Sequence, residues 1–95
     1  MMNQKNLREK IFDLLMEREM SVSEIIRELG LDPSMRKEVF RIIESLGRIA
    51  KRKGMRVYVM PATCLSCGFT FRSLNPSKCP ECRSERISEA KFIIK

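Results

Sequence analysis

Four cysteines are the residues of this chain with the clearest capacity for chemistry. They form two C-x2-C pairs separated by eleven residues: Cys64 with Cys67, and Cys79 with Cys82. Two residues between thiolates allow a tight turn that aims both sulfurs at one point, so two such turns supply the corners of a tetrahedron. Gly68 and Pro80 suit turns of this kind. The spacing predicts a closed metal site, with zinc as the first choice and iron as the alternative.

Three other interpretations of the cysteines compete with a metal site: two disulfides, a redox dithiol and four buried structural cysteines. The first residues contain no signal-peptide core, which argues against secretion and therefore against disulfides. The absence of a βαβ pattern around the pairs argues against a thioredoxin-like dithiol. No apolar run reaches the length of a membrane span, so we expect a cytoplasmic protein without a membrane partner.

The sequence offers no candidate for an enzyme active site. It contains no histidine, no nucleophile elbow and no phosphate-binding glycine loop. A zinc ion held by four thiolates also keeps no open position for a substrate or water. We therefore expect no catalytic residues and no cofactor other than the metal.

The positive charge of the chain is concentrated in one short stretch. The 95 residues carry a formal net charge of +7, but residues 1–47 are net −1. Residues 48–60 contain five cations and no acid, and residues 61–95 are net +3. Zinc with four thiolates is itself −2, so the last segment falls to about +1 when metal is bound. A local cationic patch of this size favours a nucleic-acid partner.

Two short amphipathic helices are predicted before residue 31. The first has apolar residues at helical spacing and begins at Asn6, with Glu9 placed to complete a capping box; its apolar positions are Leu7, Ile11, Leu14 and Leu15. The second begins at Ser21, with Glu24 three residues later, and ends at Gly30; its apolar positions are Ile25, Ile26 and Leu29.

A third helix is predicted to open at Asp32-Pro33 and to stop at Gly47. Its inner face consists of Met35, Val39, Ile42, Ile43 and Leu46. The opposite face carries Lys37, Arg41, Glu44 and Arg48, flanked by Arg36 and Phe40. Two helices joined by a glycine-containing turn, with a helix before them, indicate a helix-turn-helix whose third helix would enter a major groove.

After Gly47 the apolar period changes to that of a strand. Residues 49–51 and 55–60 are predicted as two strands joined by a turn at Arg52-Lys53-Gly54, which would make a basic β-hairpin wing. The predicted DNA-contacting residues of the third helix and the wing are Arg36, Lys37, Arg41, Arg48, Lys51, Arg52, Lys53 and Arg56.

The predicted fold is α+β, with a three-helix winged helix-turn-helix over residues 1–60 and a small four-cysteine zinc ribbon with rubredoxin-like knuckles over residues 61–95. Pro61 marks the boundary. The ribbon is expected to contain a strand around Phe69 and Phe71 and a last strand over residues 87–94. Alternation fails at Phe92-Ile93-Ile94, which suggests that this strand is covered on both faces and packs back on the first domain.

The whole chain resembles one family. The residues that carry the resemblance are Ser21-x-x-Glu24-Ile25-x3-Leu29-Gly30, the basic stretch, Cys64-Leu65-Ser66-Cys67-Gly68 and Cys79-Pro80-Glu81-Cys82. They are similar to the archaeal predicted transcriptional regulators in which a winged helix-turn-helix is fused to a rubredoxin-like zinc ribbon. The resemblance implies transcription regulation through DNA, a zinc site at the four cysteines, and DNA contacts by Lys37, Arg41 and residues 51–53.

The function favoured by these observations is that of a DNA-binding transcriptional regulator with a structural zinc site and double-stranded DNA as its partner. One alternative is a rubredoxin-like iron electron carrier. Another is an interaction module for protein or RNA within a transcription assembly. The sequence leaves open a homodimer or another protein partner, the DNA sequence, the effector, and activation against repression.

Overall fold

The computed structural model describes residues 6–95, which form two compact units. The first, called the helical unit, comprises the described residues up to Tyr58 together with Phe92–Lys95. The second, called the ribbon, is Val59–Lys91. The sequence-based division at residue 60 included the expectation that the last strand packs back on the first domain, and Phe92–Lys95 belong to the helical unit. Residues 1–5, where no signal-peptide core was found, lie outside the described residues.

The first two helices form as their capping signals predict. Helix α1 spans Leu7–Glu17, and the Asn6 side chain accepts a hydrogen bond from the Glu9 N–H. Helix α2 spans Val22–Leu29 and begins with a complete capping box, in which Ser21 and Glu24 each accept a hydrogen bond from the other's backbone N–H. It ends at Gly30, as predicted.

The third helix, α3, spans Arg36–Arg52 and follows a short 3-10 helix at Pro33–Met35. The predicted stop at Gly47 and the predicted strand over residues 49–51 are therefore wrong. Ile43, Leu46 and Ala50 are all buried at helical spacing, and this burial offsets the cost of about 1 kcal/mol for a glycine within a helix.

The true end of α3 is a glycine seven residues further along. Gly54 has φ of +74°, a backbone conformation that residues with a Cβ rarely adopt. The Met55 N–H donates to the Ala50 carbonyl at 2.8 Å and the Gly54 N–H to the Lys51 carbonyl at 3.1 Å. This pair of bonds is a Schellman motif, which closes the helix.

The predicted hairpin between residues 49–51 and 55–60 is consequently absent from the described part of the chain. Strand β2, Val57–Met60, instead belongs to a three-stranded sheet with β1, Met20–Ser21, and β5, Lys91–Ile94, in the order β1-β5-β2. Arg56 and Lys95 exchange both backbone hydrogen bonds, at 2.8 and 3.0 Å, which is an antiparallel pairing. Most of the chain between the paired strands β2 and β5 is therefore the ribbon.

The ribbon has a second sheet of two short antiparallel strands, β3 at Thr63–Cys64 and β4 at Ile87–Ser88. The predicted strand around Phe69 and Phe71 is reduced to a single bridge between Thr63 and Thr70. The predicted strand over residues 87–94 is divided into β4 and β5. Within β5, Phe92 and Ile94 are buried and Ile93 is half-buried, consistent with the irregular alternation.

The apolar core of the helical unit lies between its three helices and its sheet. Its fully buried side chains include Ile11, Leu15, Val22, Ile25, Val39, Leu46, Phe92 and Ile94. Phe40 packs edge-on against Phe92, with ring centroids 6.5 Å apart. No helix within residues 6–95 is both long and apolar enough to cross a bilayer.

Candidate metal centre and basic helix face

The four cysteines lie on two turns with the same backbone geometry, called here the first knuckle, residues 64–68, and the second knuckle, residues 79–83. The Gly68 N–H donates to the Cys64 carbonyl at 2.9 Å, and the Arg83 N–H donates to the Cys79 carbonyl at 2.8 Å. Gly68 and Arg83 both have positive φ, +81° and +62°. The left-handed conformation suits glycine but costs a residue such as arginine about 1–2 kcal/mol. Gly68 is recognisable in the sequence as a turn residue. Arg83 was not identified there, although it follows the second cysteine pair as Gly68 follows the first.

Backbone and hydroxyl hydrogen bonds join the first knuckle to the residues that follow the second knuckle. The Leu65 N–H donates to the Arg86 carbonyl at 2.9 Å, next to the pairing of β3 with β4. The Ser66 hydroxyl donates to the Ser84 hydroxyl at 3.0 Å. These contacts hold the turns face to face, so that the sulfurs of both pairs point toward the same small volume.

The distances between the sulfurs fit one tetrahedral metal ion. The Sγ atoms of Cys64 and Cys82 are 3.5 Å apart, those of Cys67 and Cys79 are 3.6 Å apart, and all four lie within 4.8 Å of one another. A regular tetrahedron with zinc–sulfur bonds of 2.3 Å has edges of about 3.8 Å. A disulfide would require about 2.05 Å, so the four thiols are free and each can offer one ligand atom.

The electrostatics of the cluster also call for a cation. Burial raises the pKa of the Cys64 thiol, but backbone N–H groups of its own knuckle and neighbouring thiols lower it to about 6. The Phe69 N–H lowers the pKa of the Cys67 thiol, but burial and the three other sulfurs raise it to about 12. One thiol thus ionises readily and its charge opposes ionisation of the next. A cation at the centre of the cluster would favour the thiolate form of all four cysteines, so metal binding should release protons and weaken as the pH falls.

The donor set determines what such a site can do. Cys64 and Cys79 are buried, whereas Cys67 and Cys82 are exposed at the surface. Four cysteine sulfurs would satisfy a tetrahedral zinc completely, and a closed site of this type stabilises structure. The four metal ligands named from the sequence are therefore brought together.

The second candidate region is the exposed side of α3, called here the basic face. Helix α3 continues to Arg52, so it includes Arg48, Lys51 and Arg52, which were predicted to lie at the helix end or in a wing. These three cations are therefore on the same helix as Lys37 and Arg41. At 100° per residue, all five lie within an arc of about 100° and extend along about 22 Å of the helix axis. These five exposed side chains are Lys37, Arg41, Arg48, Lys51 and Arg52.

The other three cations predicted to contact DNA lie outside the basic face. The guanidinium of Arg36 is half-buried, donates to the Ser23 hydroxyl at 2.8 Å and lies 5.6 Å from the ring centroid of Phe40. The ammonium of Lys53 lies 4.9 Å from the ring centroid of Phe12, a cation–π contact. Arg56 is exposed and precedes β2. DNA contact by any of the eight residues stays a prediction.

Glu44 is the one acidic residue within the arc of the basic face. It is exposed, and its spacing from Arg41 and Arg48 would allow ion pairs on a helix. Within residues 6–95 the structure contains no ion pair between Glu44 and either arginine. Ser45 beside it uses its hydroxyl to donate to the Ile42 carbonyl at 2.6 Å. The carboxylate of Glu44 is thus left facing solvent among cations.

Comparison with known protein families gives matches over both halves of the chain. Residues 6–58 match the family described as PF0610-like, N-terminal, and residues 61–95 match the PF0610 rubredoxin-like zinc β-ribbon domain. The chain is also similar to the solution NMR structure of protein PF0610 from Pyrococcus furiosus. The two are 36% identical, with a TM-score of 0.78 over 100% of this chain and 96% of that one. The comparison with curated proteins gives no significant match.

These findings and the sulfur geometry agree on the metal. Four cysteines that can share one tetrahedral ion lie in a segment that matches a zinc-ribbon family. The prediction of zinc as the cofactor is confirmed, and Cys64, Cys67, Cys79 and Cys82 lie together as its predicted ligands.

Proposed function

The chain belongs to the PF0610-like family, in which an N-terminal domain is joined to a rubredoxin-like zinc ribbon, and from this we propose that it is a DNA-binding transcriptional regulator. The observation that carries the proposal is the basic face, because five exposed cations along one side of one helix would attract the phosphates of a nucleic-acid groove. Double-stranded DNA is the proposed partner. The reducing cytoplasm, where thiols stay available for zinc, is the proposed location.

The order of elements supports a winged helix-turn-helix as the DNA-binding part. Helices α2 and α3 would form the helix-turn-helix, with α3 in the major groove. The neighbouring antiparallel strands β2 and β5 would serve as the two strands of the wing. In place of a short loop, the chain between these strands is the ribbon. We propose that the helical unit is a winged helix whose two wing strands are far apart in the sequence.

The zinc site has a structural role in this proposal. Its four thiolates would leave no coordination position for a substrate, so we propose that the protein is not an enzyme. With zinc bound, the ribbon is close to neutral: Val59–Lys91 contains five cations and three acids, and the zinc–thiolate centre adds −2. The attraction to DNA is therefore assigned to the helical unit.

A salt titration with charge-matched variants tests the proposal. Affinity of the zinc-loaded full chain for duplex DNA, measured by fluorescence anisotropy, should fall with salt with a log–log slope of about −3 or steeper. The triple variant Lys37→Gln, Lys51→Gln and Arg52→Gln should bind on the order of a hundredfold more weakly at 0.1 M salt and flatten the slope by about 3.

The matched control removes the same charge elsewhere on the helical unit, by changing Arg8, Lys10 and Arg27 to glutamine; all three are exposed on α1 or α2. It should retain most of the affinity. Equal losses in the two variants would mean that net charge alone drives binding, and no binding by the unmodified protein would end the proposal.

The four-thiolate site favours one second candidate, an iron electron carrier of rubredoxin type, because sulfur ligands alone suit iron as well. Metal analysis of the protein purified from its native host distinguishes the two. A red sample with a visible thiolate-to-iron band and stoichiometric iron would favour electron transfer. A colourless sample with one zinc per chain would exclude it.

A further inference from the structure

The position of Glu44 carries an inference that rests on the proposed DNA binding and deepens it. A surface that only neutralises phosphates gains nothing from a carboxylate, which repels them. Yet Glu44 lies near the middle of the basic face, exposed and without an ion pair among the described residues. Its neighbours on the same face are Arg41, one turn before it, and Arg48, one turn after it. Together with Ser45 these three residues line an open hollow of about 290 Å³.

The chemistry of base edges gives each of these side chains a partner in a major groove. Arginine donates two hydrogen bonds to the O6 and N7 atoms of guanine, and glutamate accepts one from the N4 amino group of cytosine. The Glu44 carboxylate has no alternative partner on the DNA backbone, because phosphates repel it. The triad of Arg41, Glu44 and Arg48 is therefore suited to base edges, and the outer cations Lys37, Lys51 and Arg52 to phosphates.

The spacing along α3 fits a short run of base pairs. At 1.5 Å per residue, Glu44 lies about 4.5 Å from Arg41 and about 6 Å from Arg48 along the helix axis. Base pairs of B-DNA are spaced about 3.4 Å apart, so the triad spans about three base-pair steps. We propose that Arg41, Glu44 and Arg48 are specificity-determining residues that read a G·C-containing site of about four base pairs, with Glu44 accepting a hydrogen bond from a cytosine amino group.

Selection of binding sites from a randomised duplex library tests this proposal, with the zinc-loaded full chain and two variants. Glu44→Gln is the test and Glu38→Gln the matched control, because Glu38 is also exposed on α3 but lies outside the arc of the basic face. Each substitution removes one negative charge, so both should raise affinity for DNA that lacks the selected site to a similar extent. Only Glu44→Gln should change which base is selected.

The expected result is a selected site with a fixed cytosine in the unmodified protein and in Glu38→Gln. Replacing that C·G pair by T·A should weaken binding about tenfold in both, and less than twofold in Glu44→Gln. The inference is overturned if the Glu44 variant selects the same cytosine, or if the unmodified protein binds all sequences within twofold. In those cases DNA binding itself stands. Absence of any duplex binding removes both the inference and the proposed function.

Discussion

The helical unit and the ribbon are stabilised by different kinds of interaction. In the helical unit, large side chains such as Leu15, Leu46 and Phe92 are fully buried. In the ribbon, the buried side chains are Ala62, Phe71 and Ala90 together with Cys64 and Cys79. Three apolar residues cannot offset the conformational entropy of about thirty ordered residues. The comparison indicates that apolar burial folds one unit and that zinc folds the other.

Loss of the metal should have the largest effect, because it should unfold the ribbon and leave the helical unit folded. Replacing Cys64 and Cys79 by serine removes two zinc ligands, and apparent binding energies of about 10–16 kcal/mol for structural zinc would then be lost to the ribbon. We expect amide signals of residues 61–90 to collapse to random-coil positions in an NMR spectrum. Helical circular dichroism should persist, because a disordered ribbon is then only a long loop between β2 and β5.

The control for this experiment is Ser66→Ala, which lies in the first knuckle but offers no metal ligand and should keep one zinc per chain. Simultaneous loss of the helical signal in the cysteine variant would show that the two units fold as one cooperative structure. Apolar burial would then not be sufficient to fold the helical unit.

A core substitution should affect the units in the opposite way. Leu15 is 0% exposed, so Leu15→Ala should lower the free energy of unfolding of the helical unit by about 2–5 kcal/mol. Zinc stoichiometry should not change. The matched control is Leu65→Ala, because Leu65 is 60% exposed between the cysteines of the first knuckle and should change stability by less than about 0.5 kcal/mol. Chemical denaturation with metal analysis measures both, and zinc loss in Leu15→Ala would contradict the separation.

The smallest expected changes in stability come from substitutions at the positive-φ residues of the two knuckles. A Cβ added at Gly68 meets no other atom within 4 Å, so Gly68→Ala tests backbone conformation alone and should destabilise the zinc-bound ribbon by about 1 kcal/mol. Arg83→Gly removes the equivalent strain from the second knuckle and should stabilise the ribbon by about 0.5 kcal/mol, after the entropic cost of glycine is included. Competition with a zinc chelator measures both changes, and changes of the same sign would refute the equivalence of the knuckles.

Local signals in the sequence predicted much of the fold and the whole metal site. Asn6 and Ser21 cap α1 and α2 because their oxygens satisfy N–H groups within three residues. The four cysteines were identifiable because two residues between ligands define a turn by themselves. In each case, the residues that give the signal also form the cap or turn that it predicts.

Features decided by distant parts of the chain were predicted poorly. Gly47 was interpreted as a helix stop, but burial of Ala50 extends α3 past it to Arg52. Strand β2 was paired with the residues just before it, whereas its partner β5 lies some thirty residues later. Neither outcome is encoded near the residues concerned, because both depend on what packs against them. The error over α3 also concealed that Lys51 and Arg52 share a face with Lys37 and Arg41.

The mutual hydrogen bonds of Arg56 and Lys95 bring together the two points of the helical unit between which the chain runs through β2, the ribbon and β5. Any polypeptide whose ends can lie about 5 Å apart satisfies that requirement. The ribbon can therefore be described as an insertion between β2 and β5. A different metal-binding module or a two-residue turn could connect these strands, and the three helices would keep the sheet that completes their core. A laboratory chimaera could therefore exchange this insert without redesign of the helices.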